Sequence, residues 1–135
     1  MGRTFQLKGT VVCPGFLGRE KVVVFQIGDL SKKLLLRFRS GSAKVLVRVP
    51  FGISAVRATA RGWLSASVSV DSATEPTFTL RAGDLNGDNR VNTRDVNLMR
   101  AALGTADVVA DFNGDGVVDQ TDFDLLKANL GRIGT

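Results

Sequence analysis

Hydrophobic and polar positions alternate through roughly the first 80 residues of the chain and then change to a helical spacing. Short runs rich in Val, Ile, Leu, Phe and Thr lie at 4–12, 20–27, 33–39, 43–49, 54–60, 62–70 and 76–80. In two of them the period of two is plain: Val45, Val47 and Val49 share one face, and Leu64, Ala66, Val68 and Val70 share another. Turn-forming residues separate the runs, as Cys-Pro-Gly at 13–15, Gly-Asp at 28–29, Ser-Gly-Ser at 40–42, Pro-Phe-Gly at 50–52 and Arg-Gly at 61–62. Six or seven strands in this length predict an antiparallel β-sandwich over residues 1–82. Trp63, beside Gly62 at a turn, is expected to plug the core at the start of a strand, and Cys13 to sit near a strand end.

The pattern switches at Gly83. From there an Asp-rich loop leads into a helical stretch, twice over, so that residues 83–135 read as a second, α-helical module. Val96, Met99 and Leu103 recur at helical spacing, as do Phe123, Leu126 and Leu130, and Gly104 and Gly131 follow as stops. The two halves are one unit repeated with a period of 27 residues. Residues 84–104 (DLNGDNRVNTRDVNLMRAALG) align without gaps to 111–131 (DFNGDGVVDQTDFDLLKANLG), with ten of 21 positions identical.

The repeat places oxygen-bearing side chains at positions 1, 3, 5, 9 and 12 of each loop. These are Asp84, Asn86, Asp88, Asn92 and Asp95 in the first copy, and Asp111, Asn113, Asp115, Asp119 and Asp122 in the second. That is the ligand spacing of a calcium loop, in which the chain wraps the ion and alternate side chains turn inward. Position 7 contributes its backbone carbonyl, so Arg90 and Val117 are free to vary. Hard oxygen donors throughout favour Ca²⁺ over a transition metal, and two loops imply two ions. Position 8 is Val91 and Val118, expected to pair the two loops through a short β-bridge. Position 6, where a sharp turn calls for glycine, is Gly116 in the second loop but Asn89 in the first; Asn tolerates the left-handed conformation. With four carboxylates against three, the second loop is expected to bind more tightly.

Charge divides at the same boundary. The net charge of +5 is the sum of 13 Lys/Arg against 4 Asp/Glu in residues 1–82 (+9) and 5 Lys/Arg against 9 Asp in residues 83–135 (−4). The basic half therefore does not make the whole chain a nucleic-acid binder. Its cations sit mostly at outward strand positions, the pattern of a solvated face, with a polyanion-binding face as the sharper reading. No apolar run is long enough to span a membrane. The first residues lack the apolar core of a signal peptide, so either a cytosolic protein or a piece of a longer exported chain is expected. The absence of His, and a single cysteine beside Pro14, leave no nucleophile–base pair, and the acidic pairs belong to the metal loops; no enzymatic activity is expected.

GDLNGDNRVNTRD and DFNGDGVVDQTD, each followed by a helix but with no entering helix before it, resemble a type I dockerin over about residues 83–132. The resemblance implies a duplicated loop–helix (F-hand) module that folds around two Ca²⁺ ions and binds a cohesin, attaching an exported multimodular protein to a scaffold or cell surface. It implies cohesin contacts at Thr93 and Arg94, and at Gln120 and Thr121, with Arg100, Ala101, Lys127 and Ala128 adding to them. The stretch from Leu103 to Asp111 is short for the family, so its middle helix is expected to be shortened or missing. Upstream, LKGTVV and VRATARGWLSASVSV are similar, more loosely, to a carboxypeptidase-regulatory-like, transthyretin-type sandwich. The expected architecture is thus α+β in two modules, secreted or at the cell surface. Neither nucleic acid nor membrane insertion is expected, and polysaccharide would be met only through other modules of the parent chain. The alternative is a carbohydrate-binding β-module stabilised by calcium loops, for which Trp63 is the single Trp and no Tyr is present.

Overall fold

The computed structural model describes residues 3–135, so Met1 and Gly2 of the expected first module lie outside the described residues. Eight strands precede two helices: β1 (Thr4–Val12), β2 (Glu20–Ile27), β3 (Leu30–Arg37), β4 (Ser42–Pro50), β5 (Ala55–Ala60), β6 (Gly62–Ser69), β7 (Thr77–Thr79), β8 (Arg81–Asp84), α1 (Thr93–Ala102) and α2 (Gln120–Ala128). The strands form two sheets, one in the order β4-β1-β7 and one in the order β3-β2-β5-β6-β8. Alternation places Leu7 and Val11 of β1, Val23, Phe25 and Ile27 of β2, and Val45, Val47 and Val49 of β4 between the sheets, all buried. The opposite positions, among them Lys8, Lys44 and Arg48, face outward.

Two features depart from the antiparallel expectation. β7 pairs in parallel with β1, Thr10 opposite Thr77 and Val12 opposite Thr79, whereas every other ladder is antiparallel. The chain then crosses at once to the other sheet, where β8 pairs with the start of β6, Gly62 opposite Asp84 and Leu64 opposite Arg81. β8 lies beyond the last run that the alternating pattern marks, 76–80. Its residues Arg-Ala-Gly-Asp carry no β-branched or aromatic side chain, so no period could show it.

β8 sets up all that follows, because its last residue, Asp84, is also the first residue of the first Asp-rich loop. Gly83 within it has φ +134°, and a Cβ there would lie 2.9 Å from both methyls of Val91. Only glycine lets the strand turn into the loop against that valine. Between the helices, residues 103–119 hold turns and bends alone.

The helical repeat shares the sandwich core. Phe112, Val118, Met99 and Leu126 are buried in the same hydrophobic cluster as the inner faces of the sheets. Trp63 lies at the start of β6 and is 3% exposed; its ring meets Phe112 edge-on at 6.0 Å and Phe16 edge-on at 6.5 Å. It is the expected core plug, and being enclosed it offers no flat platform to a sugar.

Candidate calcium loops and the surfaces around them

Each loop folds on its own carboxylates. In the first, Asp84 accepts from Gly87 N at 3.1 Å and Asn89 N at 2.9 Å, and Asp88 accepts from Arg90 N at 3.0 Å. Asp95 accepts from Leu85 N at 2.9 Å, Asn86 N at 3.2 Å and Asn92 N at 2.9 Å. The second loop repeats the scheme: Asp111 takes Gly114 N at 3.2 Å and Gly116 N at 2.8 Å, Asp115 takes Val117 N at 3.1 Å, and Asp122 takes Asn113 N and Asp119 N, both at 3.0 Å. Chain spacing therefore becomes convergence. Asp84, Asp88 and Asp95 bring one carboxylate oxygen each within 4.8 Å of one another, and so do Asp111, Asp115 and Asp122.

Such clusters could hold a cation. Asp95 and Asp122 are fully buried, and Asp84 is nearly so. Burial pushes the Asp84 carboxyl above the usual range, opposed by the Asn89 N–H and reinforced by the neighbouring Asp95 and Asp88 charges. Burial likewise raises Asp122, opposed by the N–H groups of Asn113 and Asp119 and reinforced by Asp111 and Asp119. The donors to these carboxylates are neutral backbone N–H groups, which orient the oxygens but do not cancel their charge. A hard dication held by oxygens fits this donor set.

Positions 9 and 12 also build the helices. Asn92 caps α1, accepting from Arg94 N at 3.1 Å, and Asp119 caps α2, accepting from Thr121 N at 3.1 Å; Asp95 and Asp122 complete a capping box in each. Asp119 is thus engaged at the cap and lies outside the cluster of three. Each loop converges three carboxylates, and in the second the cap engages Asp119 through Oδ1 alone.

The two valines at position 8 do not pair with each other. Val91 N donates to Arg132 O at 3.0 Å and Val91 O accepts from Gly131 N at 2.8 Å; Val118 N donates to Thr105 O and Val118 O accepts from Gly104 N, both at 2.8 Å. Each loop is therefore stitched to the segment that leaves the other repeat's helix. The arrangement is reciprocal, and it closes the repeat into one body.

The loops meet the sandwich in different ways. The first is held by polar groups: Asn89 Oδ1 accepts from Ser65 N at 2.9 Å and Asn89 Nδ2 donates to Ser65 Oγ at 2.9 Å, while Asn89 O accepts from Gly134 N at 2.9 Å. Thr135 continues this seam, with N to Ser65 O at 3.0 Å, Oγ1 from Ser67 N at 2.8 Å and O from Arg57 Nε at 3.0 Å. The second loop is held by apolar surface, through Phe112 on Trp63, Gly114 against Phe16 and Gly18, and one backbone bond from Leu17 N to Asn113 O at 2.8 Å. Lys21 Nζ sits beneath it, 4.1 Å from the Phe16 centroid and 5.1 Å from that of Trp63. Burial lowers the pKa of Lys21, against the pull of Cys13 and Asp111, and burial pushes the Cys13 thiol up to about 12, against the effect of Lys21.

The residues expected to touch a partner, Thr93, Arg94, Arg100, Ala101, Gln120, Thr121, Lys127 and Ala128, are all exposed. Arg100, Gln120 and Lys127 line a groove of about 470 Å³ between α1 and α2, together with Val96, Leu103, Phe123 and Leu130. These four share the helical spacing of Met99 and Leu126. Yet Leu103 is 40% and Leu130 47% exposed, and the buried positions are Met99 and Leu126.

Residues 82–131 match the family model of the dockerin type I domain. Among solved structures, a chain of a type II cohesin–X–dockerin complex from Acetivibrio cellulolyticus, an N-terminal interface mutant, aligns at TM-score 0.71 and 18% identity, over 96% of this chain and 97% of that one. A second such complex from the same organism, a C-terminal interface mutant, aligns at TM-score 0.66 and 17% identity over the same shares. The likeness extends over the sandwich as well as the loops and is one of fold. No curated protein matches the chain.

Proposed function

We propose that the chain is a non-catalytic, calcium-dependent cohesin-binding unit, with a dockerin over residues 83–135 seated on a β-sandwich over residues 1–82. The observation that carries the reading is the pairing of two converging carboxylate clusters with an exposed groove between the two helices they cap. Asp84, Asn86, Asp88, the Arg90 carbonyl, Asn92 and Asp95 would hold one ion, and Asp111, Asn113, Asp115, the Val117 carbonyl, Asp119 and Asp122 the other. The ions supply the positive charge that lets buried carboxylates stay ionised in a folded loop. The loops in turn fix the first turns of α1 and α2, so the partner meets a rigid surface and little ordering accompanies binding.

Val96, Leu103, Phe123 and Leu130 form the apolar centre of the partner face and Arg100, Gln120 and Lys127 its polar rim, an arrangement suited to a hot spot ringed by charge. Thr93, Arg94, Ala101, Thr121 and Ala128 extend it along the exposed helix surfaces. The fold shared with cohesin–X–dockerin chains across both modules favours a cohesin of type II. Binding a cohesin carries with it a secreted or cell-surface setting.

The test is calorimetric titration of the whole chain with type I and type II cohesins, in calcium and in excess chelator. Binding is expected in calcium and lost in chelator, and Phe123→Asp should weaken it by about 2 kcal/mol or more with calcium uptake unchanged. The paired changes Thr93→Ala with Arg94→Glu, and Gln120→Ala with Thr121→Ala, tell which end of the face is used. No binding to any cohesin in calcium, or binding indifferent to all three variants, would sink the proposal.

A further inference from the structure

On the outer face of the five-stranded sheet lies a concavity of about 570 Å³ that shares no lining residue with the α1–α2 groove. Its floor is Val22 and Val24, its cations are Lys21, Lys33, Arg57 and Arg61, and the linker residue Val108 stands at its rim. Asp84 is the single carboxylate in its wall, and both its oxygens are occupied by the first loop's N–H groups. Arg57 bonds Ser65 Oγ and Thr135 O through Nε, so its terminal amino groups stay available. Four cations around a concave, partly apolar surface focus a positive field into it.

Aliphatic surface is also left uncovered here. Val22 is 49% exposed, Leu35 opposite it across the β2–β3 ladder is 61%, and Val108 is 86%. Uncovered aliphatic side chains rimmed by cations suit a docking surface. Two ligand classes fit poorly. A sugar chain or a nucleic acid would look for an exposed aromatic face, but Trp63, which lines the groove, is only 3% exposed between Phe16 and Phe112, and the chain has no Tyr. Guanidinium forks above an aliphatic floor suit carboxylates alternating with Val or Leu. Lys33 lies across from Val24, and Val24 from Thr59, two strand spacings or roughly 10 Å in all. Carboxylates two residues apart on an extended chain are roughly 7 Å apart, so successive ones reach from Lys33 towards Arg57 and Arg61.

We propose that this groove docks an extended acidic–aliphatic segment of a partner polypeptide, at a site separate from the α1–α2 face. The probe is a fluorescein-labelled peptide of about twelve residues alternating Glu and Val, titrated into the whole chain in calcium and followed by polarisation. Saturable binding that weakens with salt is expected. The double variant Lys33→Glu with Arg61→Glu should weaken it about ten-fold or more, a loss of about 1.4 kcal/mol. Both residues are exposed and lie outside the calcium loops, so calcium uptake and cohesin binding should be unchanged. Val22→Asp should weaken it independently, because the floor is apolar. Absence of binding at low salt, indifference to either variant, or equal displacement by polygalacturonate would overturn the proposal, the last by making the site a general polyanion face. The cohesin titration is unaffected by any of these outcomes, so failure here leaves the α1–α2 reading standing.

Discussion

The two repeats share ten of 21 positions, and the shared ones make the same loop twice. Two of the positions where they differ face the sandwich. Position 2 is Leu85, half-buried, in the first copy and Phe112, fully buried against Trp63, in the second. Position 6 is Asn89, bonded to Ser65, in the first and Gly116, with open space around it, in the second. On the proposed calcium reading, ion geometry constrains alternate positions, and the positions between are free to specialise. The first repeat uses that freedom for a polar clamp and the second for an apolar anchor. A duplicated module thereby becomes an oriented one, with one end of its pseudo-symmetry fastened by hydrogen bonds and the other by aromatic packing.

The largest expected effect comes from removing calcium, which acts on both repeats. At free calcium about 100 times each Kd, binding stabilises by about 2.7 kcal/mol per site. Excess chelator should therefore abolish the helical circular dichroism of α1 and α2 while β signal persists. Cys13 sharpens the comparison. Its thiol is fully buried and pushed up to about 12, so alkylation near pH 8 requires opening of the sandwich end beside the second loop. Faster alkylation in chelator would mean that the apolar anchor opens with the loops. Loss of helicity without faster alkylation would mean that the sandwich stands alone, and unchanged helicity in chelator would remove the metal assignment.

The next effect separates the anchors. Phe112→Ala removes a fully buried ring from the shared core and should cost about 3–5 kcal/mol, with a red shift of the Trp63 emission. Leu85→Ala, at the same place in the first loop but only half-buried, should cost on the order of 1–2 kcal/mol and leave that emission unchanged. Equal losses in chemical denaturation would erase the distinction between a packed and a clamped repeat.

Much of this was legible in the chain, for reasons that also explain what was not. β4 and β6 follow from strict alternation, and the loops from carboxylates at fixed offsets, because each pattern records one dominant force. β8 escaped, since four residues of low strand propensity are held by pairing with β6 rather than by their own preference. The parallel partnership of β7 and β1 also escaped, since nothing local distinguishes a parallel neighbour from an antiparallel one. Val96, Leu103, Phe123 and Leu130 showed only as helical positions, because helical spacing is the same for a core stripe and a half-covered groove. Asn89 did leave a signal, as a departure from glycine, but tolerance of φ +65° explains only how it survives there. The reason it is there, the Ser65 amide and hydroxyl, lies 24 residues away and only the fold brings it near.

The smallest effect is the most specific, an exchange of the position 6 residues. Asn89→Gly relieves a left-handed asparagine but deletes two hydrogen bonds to Ser65, each contributing about 0.5–1.5 kcal/mol. The net loss should be about 1 kcal/mol, and because Asn89 N also donates to Asp84, the weakening should appear as lower calcium affinity at the first site. Gly116→Asn has space for its side chain but no counterpart of Ser65, and its φ is +95°, so it gains no bond and meets the full backbone strain, about 1 kcal/mol. The two losses thus have different origins, which a double-mutant cycle with Ser65→Ala can separate. In the Asn89→Gly background Ser65→Ala should add little beyond its own effect on Thr135 and Arg57, whereas in the Gly116→Asn background it should cost as much as in the parent. Full additivity of Asn89→Gly and Ser65→Ala, with calcium titrations that do not distinguish the two sites, would mean that the clamp is a contact without coupling, and the first repeat would then be fastened by its Leu85 packing and the Thr135 seam alone.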